Sequence, residues 1–285
     1  QNATGLSVEI DDVSEAVAAL ALQGPMSAAV LHQVTDADLV SLRYFRMTRA
    51  AIAGVPVDIS RTGYTGDLGY ELWMPWREAV RVWDALMAAG RAYDIRPVGL
   101  LALDLARVEA GLLLIDVDFH SSRKALTDDQ RYSPYEMGLG RLVQLDKGSF
   151  VGRSALAAEH RRGPRRRIVG LDVGWSEVER LYERIGTAPQ LPTAPSRLAV
   201  PVYKSGRQIG RATTTTWSPV LKKLIALATL DGPHTAEGTV VEFELTVEAV
   251  RHRVPATVVR TPFFNPARKT AAPCLGAGYS AAMKG

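Results

Sequence analysis

The sequence predicts an α+β domain followed by a small C-terminal β-barrel. Up to about residue 160, strand-like runs alternate with amphipathic helical runs but lack the sustained βαβ rhythm of a doubly wound sheet. From Gly163 onward Pro164, Pro189, Pro192 and Pro195 interrupt helical patterns, and short strand-like runs recur at close spacing. At 285 residues, 47% hydrophobic and 22% charged, the chain is long enough for about two domains and too apolar to be disordered. These shifts place a first domain at 1–160, a barrel at 161–270 and a flexible tail at 271–285.

Residues 6–10 alternate as a strand does, with Asp11-Asp12-Val13-Ser14 offering caps for the next element. Ala16 to Leu22 reads as a short apolar element that Gln23-Gly24-Pro25 ends, and Met26 to Val34 as a helix. Residues 44–60 hold two strand-like runs, the second Val55 to Ile59; a glycine-rich turn over 61–69 then leads into a strand, Tyr70 to Met74. Three glycines in seven residues, Gly63, Gly66 and Gly69, imply unusual torsions or a close approach. Arg77 to Ala89 is an amphipathic helix with Val80, Trp83 and Met87 on one face and Ala79, Val82 and Leu86 beside them, ended by Gly90. Gly99 to Ala110 is a second helix, ended by Gly111, in which Asp104 and Arg107 stand at i, i+3 and can pair. The barrel strands are expected at 168–173, 198–203, 207–216, 224–230, 238–247 and 253–260.

The net charge of +4 is small and localised, since Arg161, Arg162, Arg165, Arg166 and Arg167 alone exceed it. Without interleaved aromatics that run reads as a solvated linker rather than a nucleic-acid patch. No run of about 18 apolar residues predicts a membrane span. The single cysteine, Cys274, excludes a disulfide framework and multi-cysteine metal sites within the chain, which points to the cytoplasm. No pair of the five histidines has ligand spacing, so no metal site is expected. The stretch Asp116-Val117-Asp118-Phe119-His120 reads as a polar loop rather than a catalytic cluster. There is no Gly-x-Ser-x-Gly elbow, and nucleophilic hydrolysis has no support.

The glycine-rich run 61–69 lacks the Lys-Ser/Thr of a phosphate loop and opens a strand instead of a helix. It leaves Glu71 one position into the returning strand. A carboxylate there can accept two parallel N–H bonds from an amidine-like ring edge such as a pterin or purine presents, or it can be an ordinary surface residue. The residues alone leave both readings open.

Several motifs then occur in fixed order: Arg61 to Leu72, Gly99-Leu100 leading into Asp104 to Leu112, Pro134 to Leu139, Lys147 to Gly152, Gly210 to Thr214, Ser218 to Lys223, Ile225 to Ala228, and Pro262-Phe263-Phe264. Jointly this series resembles the glycine-cleavage T-protein (aminomethyltransferase) family, which includes tetrahydrofolate-dependent demethylases, over residues 6 to 268. The resemblance implies a folate-binding domain followed by a barrel, and transfer of an aminomethyl or methyl group from a small donor, or from a carrier protein, to tetrahydrofolate. It implies that Glu71 holds the pterin ring, with Tyr64 and Tyr70 as packing groups and Arg268 reaching toward the folate.

Two departures qualify the resemblance. Family members usually carry Arg-Asp after the Gly-Leu helix start, where this chain has Leu103-Asp104. Leucine cannot donate to a carboxylate, which argues for a relative acting on another methyl or aminomethyl donor. The chain also begins without Met, and the family pattern implies a domain-sized segment ahead of residue 6 that would carry the aspartate near the reacting nitrogen. The catalytic base is therefore unassigned, and Asp104 reads as half of a structural ion pair with Arg107. The alternative reading is a non-catalytic folate-binding or regulatory module, or one part of a split or multidomain enzyme; a nucleic-acid binder is a third.

Overall fold

A computed structural model describes residues 7–275. The chain divides into two compact units, Gln1–Pro97 with Pro266–Gly285, and Val98–Asn265. The first contains β1 (Val17–Gln23), α1 (Ser27–His32), β2 (Met47–Ile52), β3 (Val55–Ser60), β4 (Gly69–Pro75) and α2 (Ala79–Gly90). Its four strands form one antiparallel sheet in the order β1-β4-β3-β2. One sheet face is built by alternation: Val55, Val57 and Ile59 on β3, with Tyr70, Leu72 and Met74 on β4, point into a core shared with Val30, Leu31, Val82 and Leu86. The opposite face carries Glu71 and Trp73.

Two expectations in this unit are corrected. Residues 7–10 form no strand, and Val8 and Ile10 are exposed there instead of burying one face of a sheet; residue 6 lies outside the described residues. On α2 the buried stripe is Val82, Leu86 and Gly90, whereas Val80 is 71% and Trp83 41% exposed. Two apolar stripes compete on this helix, and the one carrying Val82 and Leu86 enters the core under the sheet; at its end Gly90 lets Ile95 approach, since a Cβ there would lie 2.6 Å from the Ile95 side chain.

The second unit contains α3 (Leu100–Glu109), α4 (Arg153–Arg162), β5 (Arg166–Val173), α5 (Trp175–Arg184), β6 (Val200–Lys204), β7 (Arg207–Ser218), β8 (Lys223–Asp231), β9 (Val240–Val247) and β10 (Val250–Val259). The six strands close into a barrel in the order β10-β5-β8-β7-β6-β9. Closure removes free sheet edges, and Leu171, Val202, Ala228, Phe243 and Ala256 fill the interior. Helix α5 adds Val178, Leu181 and Tyr182 to that core. Its apolar spacing is masked in the sequence by the surrounding prolines and by the charged run WSEVERLYER.

The arginine run is not a solvated linker throughout. Arg161 and Arg162 end α4, while Arg165 and Arg166 pair with the buried carboxylate of Glu136 at 3.2 and 3.3 Å. Arg165 also pairs with Asp129, and the Arg166 guanidinium stacks 3.8 Å over Tyr132. Two of the five arginines, Arg165 and Arg166, are thus engaged within the unit.

Candidate functional site

The glycine-rich loop 61–69 joins β3 to β4 and is built around one side chain from β1. Gln23 pairs with Gly69 across the sheet, and its amide donates to the carbonyls of Thr62 and Tyr70, each at 3.2 Å. Its Oε1 accepts from the Thr65 hydroxyl at 3.1 Å. A Cβ on Gly63 or Gly69 would fall 2.0 Å from Gln23 Oε1, so both glycines make room for this amide. Gly66, at φ +76°, supplies the left-handed turn.

Beside the loop, Asp67 caps the Leu68 amide at 2.6 Å and meets Arg268 in a two-pronged ion pair, 2.7 Å at both contacts. The backbone around Arg268 is fixed in turn by Arg61, which is 2% exposed. Arg61 donates to Leu42 O at 3.0 Å, to Lys269 O at 3.2 Å and to Ala271 O. Arg61 thus fastens part of the stretch that the sequence presents as a tail, and Leu275 packs against the same core. Lys269 stands 5.6 Å over the Tyr44 ring, and burial pulls its ammonium below the ordinary lysine range.

Glu71 is half-buried on β4, between Ala21 of β1 and Ser60 of β3. Its Oε2 accepts from the Thr62 hydroxyl, and Thr62 Oγ1 lies 2.8 Å from Ser60 Oγ. Oε1 has no hydrogen-bond partner among the described residues. Trp73, two positions on along the same face, is 42% exposed.

Of the other residues singled out by sequence, Tyr64 is half-buried in the loop itself, and Arg268 reaches the loop through Asp67. Tyr70 is fully buried in the sheet core, on the face opposite Glu71, because neighbouring strand residues point to opposite sides. Burial raises its phenol above the usual range, opposed by the charge of Arg61. Gln23, Thr62, Asp67 and Trp73 join the site without a sequence prediction for them. A signal for Thr62 exists, since alternation puts Ser60 and Thr62 on the face of the paired strand's Glu71.

In the second unit a buried network surrounds Arg107 on α3. Its guanidinium donates to Asp104 at 2.9 Å, to Thr214 at 3.0 Å, to the Leu112 carbonyl at 3.3 Å and to Asp118. Asp118, fully buried, also accepts from the Leu114 amide at 2.8 Å and from the Thr213 and Thr214 hydroxyls, each at 2.7 Å. Adjacent strand residues reach one carboxylate because β7 carries a register shift between Ala212 and Thr214. Arg197 closes the set on Asp104 at 2.9 Å. Asp104 is therefore a structural partner, as its helical spacing suggests. The 116–120 stretch is split: Asp118 turns inward, while Asp116 pairs with Lys124 and His120 is half-buried. Leu103 is half-buried on the same helix. Among the described residues no group of three or more His, Cys, Asp or Glu could hold a metal ion, and no helix is long and apolar enough to cross a membrane.

Residues 1–147 match the family model described as GCVT N-terminal domain, and residues 186–265 match the glycine cleavage T-protein C-terminal barrel domain. The chain belongs to the glycine-cleavage T-protein family. An aminomethyltransferase of Moorella thermoacetica is 38% identical over 94% of this chain and 65% of its own length. One from Bacillus subtilis (strain 168) is 37% identical over 90% and 62%. The crystal structure of the glycine cleavage system aminomethyltransferase T from Bartonella henselae superposes with a TM-score of 0.66 at 26% identity, covering 87% of this chain and 60% of that one. The chain thus spans less than two thirds of the length of these T-protein relatives.

Proposed function

We propose that this chain provides the folate-gripping face and the barrel of a tetrahydrofolate-dependent aminomethyltransferase, with Glu71 as the residue that holds the pterin. The observation that carries this reading is the carboxylate of Glu71, tied through one oxygen to Thr62 and open at the other. An ionised carboxylate only accepts hydrogen bonds, so it fits a ring edge presenting two parallel N–H donors. Bonds to a charged acceptor contribute about 1.5–3 kcal/mol each. Trp73 offers an indole on the same face for a flat heteroaromatic ring, and Tyr64 lies in the adjoining loop. Arg268 acts in this reading by holding the loop through Asp67. When bound, tetrahydrofolate supplies the nitrogen that takes up the one-carbon unit.

The names of the relatives support an aminomethyl group as the cargo; in this reading a small donor or a carrier protein delivers it, in the cytoplasm. A transfer of this kind needs an electrostatic partner near the reacting nitrogen. Asp104 is not assigned that role, because both its oxygens are engaged by arginines. The family-model limits support the division into a folate-binding part at 1–160 and a barrel at 161–270. Calorimetry with tetrahydrofolate tests the reading. Glu71→Gln is expected to weaken binding by about tenfold or more, since it replaces a charged acceptor by an amide. Unchanged affinity would remove Glu71 from the site and the reading with it.

A further inference from the structure

The hydroxyls of Ser60 and Thr62 stand in line with the Glu71 carboxylate, and the proton inventory fixes their order. A carboxylate cannot donate, so Thr62 donates to Oε2. Thr62 Oγ1 has then spent its one proton, and its 2.8 Å contact with Ser60 is a bond that Ser60 donates, in preference to its longer 3.4 Å contact with the Glu71 carbonyl. The chain runs Ser60 to Thr62 to Glu71. It rests on a well-determined base: Ser60 is the cross-strand partner of Glu71, and the Thr62 carbonyl is held at 3.2 Å by Gln23, which also holds the Tyr70 carbonyl.

We infer that Thr62 is a positioning residue for ligand recognition: the Ser60–Thr62 relay fixes the plane of the Glu71 carboxylate so that Oε1 and the remaining lone pair of Oε2 face a ligand with two adjacent N–H donors. This rests on the proposed pterin-holding role of Glu71 and deepens it. Without the relay, a glutamate with three side-chain torsions samples many orientations, and a two-point contact with a ring edge requires one of them. The relay therefore acts on selectivity as well as affinity, because a misaligned carboxylate still accepts one bond but loses the second.

The test is calorimetry on the full chain with two ligands: tetrahydrofolate and its analogue bearing a methyl in place of the 2-amino group. Thr62→Val, which keeps the branched shape and removes the hydroxyl, is expected to weaken tetrahydrofolate binding about tenfold while hardly changing binding of the methyl analogue. Thr62→Ser restores both affinity and discrimination. Ser60→Ala, one step removed, weakens tetrahydrofolate binding about threefold. A merely structural Thr62 would lower both affinities alike, and that result overturns the relay, as does a Thr62→Val chain that still discriminates. Should Thr62→Val fail to fold, Ser60→Ala decides: no loss of discrimination overturns the proposal. The two levels separate cleanly. Wild-type chain that does not bind tetrahydrofolate, or Glu71→Gln that binds unchanged, refutes the functional reading; binding lost in Glu71→Gln but intact in Thr62→Val refutes the relay alone.

Discussion

The carboxylate of Asp67 and the guanidinium of Arg268 meet edge to edge, 2.7 Å at both contacts, although 201 positions separate them in sequence. Both are largely shielded from solvent, with side-chain exposures of 14% and 25%. A fork-to-fork pair of this kind is directional, and it places a rigid strut against the loop that carries Tyr64.

Arg268→Ala is therefore expected to loosen residues 63–69, seen as faster hydrogen exchange at their amides, and to cost about 1–2 kcal/mol of stability. Arg268→Lys keeps the charge but not the fork and should restore little of the protection. Exchange in 63–69 that stays at the wild-type rate in both variants would show that the strut does not hold the loop.

Gly69→Ala is expected to cost about 1–2 kcal/mol, because its new Cβ would sit 2.0 Å from Gln23 Oε1 and displace an amide that makes three hydrogen bonds. The displaced group is a flexible side-chain end, so the cost is that of its lost bonds and not of backbone rupture. In a double-mutant cycle with Gln23→Ala, urea denaturation should show strong non-additivity. Simple additivity would mean that the clash is relieved elsewhere.

Asp118→Ala should be among the most damaging single substitutions, by about 3–5 kcal/mol, since it leaves Arg107 buried without one of its two carboxylates. Arg197→Ala, at a half-exposed side chain, should cost less than about 1 kcal/mol. Equilibrium denaturation ranks the two, and a larger loss for Arg197→Ala contradicts the network centred on Arg107.

Acid should weaken the same network. Burial pushes the Asp104 carboxyl up, but its bonds and attraction to Arg107 and Arg197 outweigh this and hold it below its ordinary 3.8. A carboxyl depressed in the folded chain contributes its full stability above the unfolded value and loses it as pH falls through the folded one. The contribution is thus complete at neutral pH and fades below about pH 4. Asp104→Asn should flatten the stability–pH profile in that acidic window; an unchanged acid limb would assign it to other carboxylates.

Much of the fold is legible in the sequence because its signals are local. Alternation in Val55 to Ile59 and Tyr70 to Met74 marks strands that bury one face, and the six barrel strands stand at the predicted places within a few residues. Helix α5 is hidden because it is short and half charged, and only its few barrel-facing residues declare it. On α2 the sequence offers two apolar stripes, and the choice between them depends on the sheet beneath. At the candidate site, Glu71 is visible from its place after a glycine-rich turn. Its partner Thr62 and the buttress Gln23 depend on cross-strand register, and the Asp67–Arg268 pair on a return of the chain that no local pattern encodes.

Arg61 also constrains the order in which the polypeptide matures. Its guanidinium is enclosed by main-chain oxygens, one of them on Ala271, 210 positions downstream. A nascent chain that has emerged only as far as the barrel therefore holds an arginine that has its Leu42 acceptor but not yet those on Lys269 and Ala271. The first unit begun is the last to be finished, and a ribosome-stalled intermediate ending before residue 266 should combine a closed barrel with a sheet that remains open to proteolysis.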